Sequence, residues 1–230
     1  MPKPNRAAKA RMLSVSQATT RRTADAARRT AYRQIVLSSA GSAFARQGVA
    51  ATKMEQLAQE AGLSLATLYS VFRGKADIVD AIHEQRLREI HASSVAAQAL
   101  ESDPLDTLLA GSRAYISYFL EHPDYLRLYI DEGTTWGVRD SIGHGTRRAE
   151  AWNEGVAQFA AIFERGIETG VFVDGDPDQL TRIMLAMQQV QLADWLHSDR
   201  STGSQELIAS AEALLRRAFC VSDSAPSSAP

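Results

Sequence analysis

One cysteine in 230 residues cannot form an internal disulfide, so Cys220 leaves the fold to be held by packing alone, as in a reducing compartment. Aromatic residues supply only 7% of the chain and proline occurs at seven positions, with no collagen-like period or low-complexity tract, so the fibrous and disulfide-scaffold classes are excluded. No uncharged run approaches the roughly 18 apolar residues of a membrane span. The basic stretch from Met1 to Leu13 has no apolar segment behind it, so it does not read as a secretory signal. These absences predict a soluble, cytoplasmic protein with no membrane partner. A chain of this length can bury roughly 70% of its unfolded surface and needs no metal to hold it together.

Catalytic signatures are absent as well. The sequence has no glycine-rich phosphate loop, no G-x-S-x-G elbow and no H-E-x-x-H. Its five histidines, His83, His91, His122, His144 and His197, form no i, i+4 pair. Asp124, Asp131 and Glu132 read as solvated faces and helix caps. The expectation is a protein that is not an enzyme and carries no catalytic residue, metal or cofactor.

What is present is a division of charge. Residues 1–75 hold thirteen Lys and Arg against three acids, a net +10, whereas the remainder holds twelve against twenty-four, a net −12. The basic third is suited to a polyanion and the acidic remainder is not.

Nearly everything between the termini carries helical periodicity. Residues 1–28 lack an apolar stripe and read as a basic disordered arm; residues 221–230, rich in Ser, Ala and Pro, read as a disordered tail. Tyr32, Ile35, Val36, Ala40, Ala43 and Phe44 define one helix face, which Gly48 ends. Thr52 and Glu55 are spaced as a capping box, and Met54, Leu57, Ala58 and Ala61 form the buried face of the helix they open. Gly62 breaks that helix, and Ser64 is placed to cap a short third one carrying Leu68, Val71 and Phe72 inward. Two short helices joined by a glycine-containing turn match a helix-turn-helix over residues 52–72. Periodicity by itself also places Leu65 and Tyr69 on the buried stripe. Further helices are expected over 76–100, from Asp103-Pro104 onward, from Trp152 to Gly170, from Asp176-Pro177 onward, and over 204–220, with a loop from Gly133 to Gly145. No alternating strand and no repeat is evident, so the fold class is all-α.

Residues Arg33 to Ile78, above all Phe44 to Gly48, Ala51 to Ala58 and Ala61 to Phe72 followed by Lys75, resemble the DNA-binding domain of TetR-family (AcrR-like) transcription regulators. The resemblance implies a three-helix DNA-binding domain, placed here at 29–89, followed by a larger helical effector-binding and dimerisation domain at 90–220. It implies that the third helix enters a major groove, with Leu65, Ala66, Thr67, Tyr69 and Ser70 toward DNA and with Tyr69 and Lys75 on phosphates. Ser64, Thr52 and Lys53 join this set at the helix starts. The arm would either reach a neighbouring minor groove or add non-specific affinity. In the middle helices, where the family places its pocket, Arg113, Tyr115, Tyr118, Phe119, Trp136, Trp152, Phe159 and Met184 are the candidate effector contacts. Leu207, Ile208, Ala211, Leu214, Leu215 and Phe219 are the candidate dimer interface.

The resulting expectation is a homodimeric, sequence-specific transcription regulator, a repressor released from a palindromic double-stranded DNA operator by an unidentified small-molecule effector. A TetR-type activator is one alternative. The other is a helical small-molecule-binding protein or enzyme whose helix-turn-helix is merely structural.

Overall fold

In a computed structural model the chain is described over residues 6–132, 146–198 and 202–221, with side chains from residue 21 onward. The described residues form nine α-helices: α1 (Arg6–Ala51), α2 (Met54–Glu60), α3 (Leu65–Val71), α4 (Lys75–Gln98), α5 (Pro104–Glu121), α6 (Pro123–Asp131), α7 (Arg147–Glu168), α8 (Pro177–His197) and α9 (Ser204–Phe219). Beyond them, Phe172 and Cys220 form an isolated antiparallel bridge. It is flanked by bonds from the Val173 amide to the Phe219 carbonyl and from the Val221 amide to the Val171 carbonyl. The loop expected over 133–145, with Trp136 and His144, and the tail from residue 222 lie outside the described residues.

The chain divides into two compact units, residues 1–78 and 79–230. The boundary expected after residue 89 falls inside α4, which continues without a break. In the first unit α1, α2 and α3 pack on one another, burying Val36, Ala40, Phe44, Leu57 and Leu68 almost completely. Residues 6–28, expected to be an arm without regular structure, are instead the first part of α1. Residues 21–31 are all exposed, so apolar periodicity is missing there because that stretch packs on nothing, while its alanines favour the helix. Gly48 interrupts helical geometry at φ 79°, a conformation that disfavours a side chain.

Thr52 does not cap α2. The helix starts one residue later, with Lys53 in the cap position and no side-chain cap bond. The buried Thr52 hydroxyl instead donates to the Gly48 carbonyl and accepts from Gln47 Nε2. That carbonyl, orphaned where α1 breaks, takes the hydroxyl, and the buried Thr52 side chain is thereby satisfied.

In the second unit α7 and α8 make the closest pair, and α5 lies against α7 and α9. Asp103 caps α5 by accepting from the Leu105 and Asp106 amides, and Asp176 caps α8 from the Asp178 amide. Where α9 ends beside α7, the Phe163 ring meets Phe172 at a tilt and Phe219 edge to face. A β-carbon added at Gly166 would lie 2.0 Å from the Phe172 ring. Gly166→Ala should therefore destabilise this unit by about 1–3 kcal/mol in chemical denaturation, unless Phe172 is also truncated.

His83 is fully buried and its Nδ1 lies 3.2 Å from the Tyr125 hydroxyl. Burial, with the Arg148 guanidinium nearby, lowers its pKa from 6.5 to about 3. Between those values the unfolded chain holds a proton that the folded chain refuses, so stability declines as pH falls through this window. Thermal unfolding from pH 7 to pH 4 should show a loss of at most about 1.4 kcal/mol per pH unit from this group, absent in His83→Gln.

Candidate nucleic-acid interface

The α2–α3 turn is built by Gly62. At φ 65° its amide bonds to the Gln59 carbonyl, and the Leu63 amide reaches back to Ala58, closing the end of α2. Ser64 then caps α3, accepting from the Thr67 amide at 3.1 Å, and its hydroxyl lies 2.8 Å from that of Thr67. The Ser70 hydroxyl is also engaged locally, donating to the Thr67 carbonyl at 2.6 Å. The cap fixes the rotation of α3. Leu68, Val71 and Phe72 are thereby turned inward, while Ala66, Ser70 and Tyr69 face out.

Tyr69 is 50% exposed, despite a spacing that fits the buried stripe equally well. Leu65 and Thr67 are half-buried. Lys53 stands exposed at the start of α2, whereas the side chain of Thr52 is buried and turned away from any surface. Lys75 has a structural task that its spacing did not reveal. Its ammonium donates to the Val49 and Ala50 carbonyls at 2.7 and 2.9 Å, tying the start of α4 to the end of α1 and leaving one N–H for another acceptor. Arg33, not among the expected site residues, donates to the Val71 carbonyl and lies 4.3 Å over the Phe72 ring, bracing the last turn of α3. Arg46 pairs with Glu60 between α1 and α2.

In the second unit, α4, α5, α7 and α8 line a half-open cavity of about 30 Å³. Tyr115, Trp152 and Phe159 of the expected pocket line it, together with Leu87, Ile90, His91, Ser94, Ala151, Gly155, Val156, Gln158 and Leu185. Burial pushes the Tyr115 hydroxyl up to about 12, so it is un-ionised at neutral pH. At one wall Gln158 donates to Gln98, leaving Gln98 Nε2 and Gln158 Oε1 without partners among the described residues.

Four other expected contacts are placed elsewhere. Arg113 is exposed and holds Glu212 of α9 through Nε and Nη2, so the α5–α9 surface takes up its charge. Tyr118 bonds to Glu89 and Arg86, while Phe119 and Met184 are packed in the core outside the cavity wall. The helix stripes were legible, but which face meets the cavity depends on the partner helix.

The expected dimer stripe is divided. Leu207, Ala211, Leu215 and Phe219 are buried within the protomer, where α9 packs on α5 and α8. Ile208 and Leu214 are half-buried. The exposed apolar side chains of this carboxy-terminal region are Val221, just after α9, and Ile183 and Val190 on α8, the last two 43% and 61% exposed and seven residues apart on one face.

A compact three-helix unit with a braced, capped short third helix, showing Ala66, Tyr69 and Ser70 outward, has the geometry of a helix-turn-helix. Residues 36–82 match the family of bacterial regulatory proteins described as tetR. Over 160 residues the chain is 25% identical to the HTH-type transcriptional repressor SCO4008 of Streptomyces coelicolor, covering 70% of this chain and 75% of that protein. The TetR family transcriptional regulator PfmR of Thermus thermophilus superposes with a TM-score of 0.62 at 26% identity, covering 79% of this chain and 97% of that one. The ketosteroid transcriptional regulator KstR2 of Mycobacterium tuberculosis superposes at 0.62 with 21% identity, covering 82% and 95%. The chain is thus similar to TetR-family transcription regulators, in sequence over its DNA-binding unit and in fold over about four fifths of its length. These likenesses do not favour a binding protein or enzyme with a merely structural helix-turn-helix. Among the described residues, no helix is long and apolar enough to cross a membrane.

Tyr69→Ala should change the stability of the first unit by less than about 0.5 kcal/mol, as expected for an exposed side chain, while weakening DNA binding. Lys75→Ala should lower both, because it also releases two carbonyls. Denaturation and DNA titration on the same preparations separate the two behaviours.

Proposed function

We propose that the chain is a homodimeric repressor that reads a palindromic operator with α3 and leaves it when a small molecule occupies the cavity of the second unit. The observation that carries the DNA reading is the division of α3: Leu68 and Val71 are engaged inside with Phe72, and the half-exposed Tyr69 stands outside with Ala66 and Ser70. An α-helix fits the major groove, where base edges present distinguishable donors, acceptors and methyl groups. Ala66 and Leu65 offer apolar contact to a thymine methyl, Ser70, Thr67 and Ser64 offer hydroxyls, and Lys53, Tyr69 and the remaining N–H of Lys75 take phosphates. SCO4008 is named a repressor, and that likeness supports the same sign of regulation here.

Support for the dimer comes from Ile183 and Val190, whose exposure on one face of α8 suits a second copy of the chain, and from the half-buried Ile208 and Leu214 of α9. A two-fold dimer fixes the spacing of its two recognition helices, which must match successive major grooves about 34 Å apart. A cavity of about 30 Å³ admits water and little more, so an effector has to widen it. Widening displaces α4, which lines the cavity with Leu87, Ile90 and Ser94 and begins at Lys75 in the DNA-binding unit. Converting a mostly bound population to a mostly free one requires the effector to prefer the released shape by several kcal/mol.

The test is titration against DNA fragments from around the protein's own gene, with excess competitor DNA. Saturable, dimer-sized binding to one fragment supports the reading; binding that is uniformly weak and abolished by moderate salt would overturn it. Ile183→Asp combined with Val190→Asp should sediment as a monomer and lose most operator affinity. A double variant that remains dimeric would exclude this face as the interface.

A further inference from the structure

We infer that the exposed amino-terminal part of α1 is a second DNA-docking surface, an arginine-bearing helix that lies along the phosphate backbone flanking each half-site. This rests on the placing of α3 in a major groove. The inference comes from one continuous register. Residues 22, 29, 33, 36, 40 and 43 are spaced by seven, four, three, four and three, the repeat of a single helix face. On the carboxy-terminal side that face is Val36, Ala40 and Ala43, each fully buried against the other helices of the unit. On the amino-terminal side the same face becomes Arg33, Arg29 and Arg22.

Arg33 marks the change, because its guanidinium is half-buried on the Val71 carbonyl and the Phe72 ring, at the end of α3. Arg29 and Arg22 continue past that end, both exposed and with no ion pair among the described residues. Asp25, the one acid of this stretch, pairs instead with Arg28 at 3.7 Å. The face that packs on the domain thus extends beyond it as a row of unpaired guanidinium groups leading away from the recognition helix.

Charge selects the occupant. The segment up to residue 75 carries a net +10, and guanidinium groups match phosphate oxygens in geometry as well as sign. At about 1.5 Å per residue, Arg22 lies about 16 Å along the helix from Arg33, the reach of about five base pairs. A helix this exposed is marginal by itself and gains order from such a contact. The contacts carry no base specificity; they set affinity and its salt dependence.

The experiment uses the full chain and the operator recovered from its own upstream DNA, as a duplex trimmed to the protected site and as the same duplex extended by about ten base pairs at each end. Wild-type protein should bind the extended duplex at least about tenfold more tightly at low salt, with a log–log salt slope steeper by about 3–4, the value for four arginines in a dimer at about 0.9 each. In Arg22→Gln/Arg29→Gln the affinity ratio between duplexes should fall to about one and the slopes should converge. Arg22→Lys/Arg29→Lys should retain most of the difference.

Equal affinity and slope for wild-type protein on both duplexes would overturn the inference, as would a glutamine variant that keeps the difference. If the glutamine changes alter self-association while the duplex difference persists, the row faces an acidic protein surface instead of DNA, and the inference is again wrong. Failure to bind either duplex above competitor would instead remove the operator reading on which this one rests.

Discussion

A seven-residue helix cannot persist in water on its own hydrogen bonds, so the DNA-binding unit depends on the burial of Leu68, Val71 and Phe72 of α3. Every other feature of that unit serves this packing. The Gly62 turn brings α3 back against α2, the Ser64 cap sets its rotation, and Arg33 closes its far end by bonding to the Val71 carbonyl. Lys75 then fixes the start of α4 to the carbonyls of Val49 and Ala50. The outward presentation of Tyr69 is a consequence of this inward anchoring, because a helix held by one face has no freedom to hide the other.

The second unit follows a different logic. Its interior contains polar side chains paired with one another: Gln188 with Ser112, Gln158 with Gln98, His83 with Tyr125, and Tyr118 with Glu89 and Arg86. Gly111 permits the closest of these approaches, since a β-carbon there would lie 2.1 Å from Gln98 Nε2. Buried polar pairs tie helix packing to specific partners and leave groups able to accept a ligand's hydrogen bonds in place of each other's.

Much of this was legible from spacing. The boundaries of α5 and α8 follow from Asp103-Pro104 and Asp176-Pro177, and the aspartates do cap the helices that the prolines open. Val36, Ala40 and Phe44, and likewise Leu57 and Leu68, are buried as their periodicity requires. Where the reading went astray, a tertiary competitor intervened. Thr52 was drawn from the cap position by the Gly48 carbonyl. Arg113 was drawn to the surface by Glu212, ninety-nine residues away. Leu207, Ala211, Leu215 and Phe219 of the expected dimer stripe lie in the protomer's own core, a destination that period alone does not encode.

The sequence by itself determined an all-helical chain, the place of its helix-turn-helix and the concentration of positive charge in its first third, because propensity, caps and charge are local properties. Only the tertiary structure decided which member of an ambiguous stripe faces out, as with Tyr69; which helices meet to leave a cavity; and that the basic amino-terminal segment is a helix in register with the buried face of α1. Each of these depends on two elements meeting across the chain, and the energy of that meeting is recorded in neither element alone.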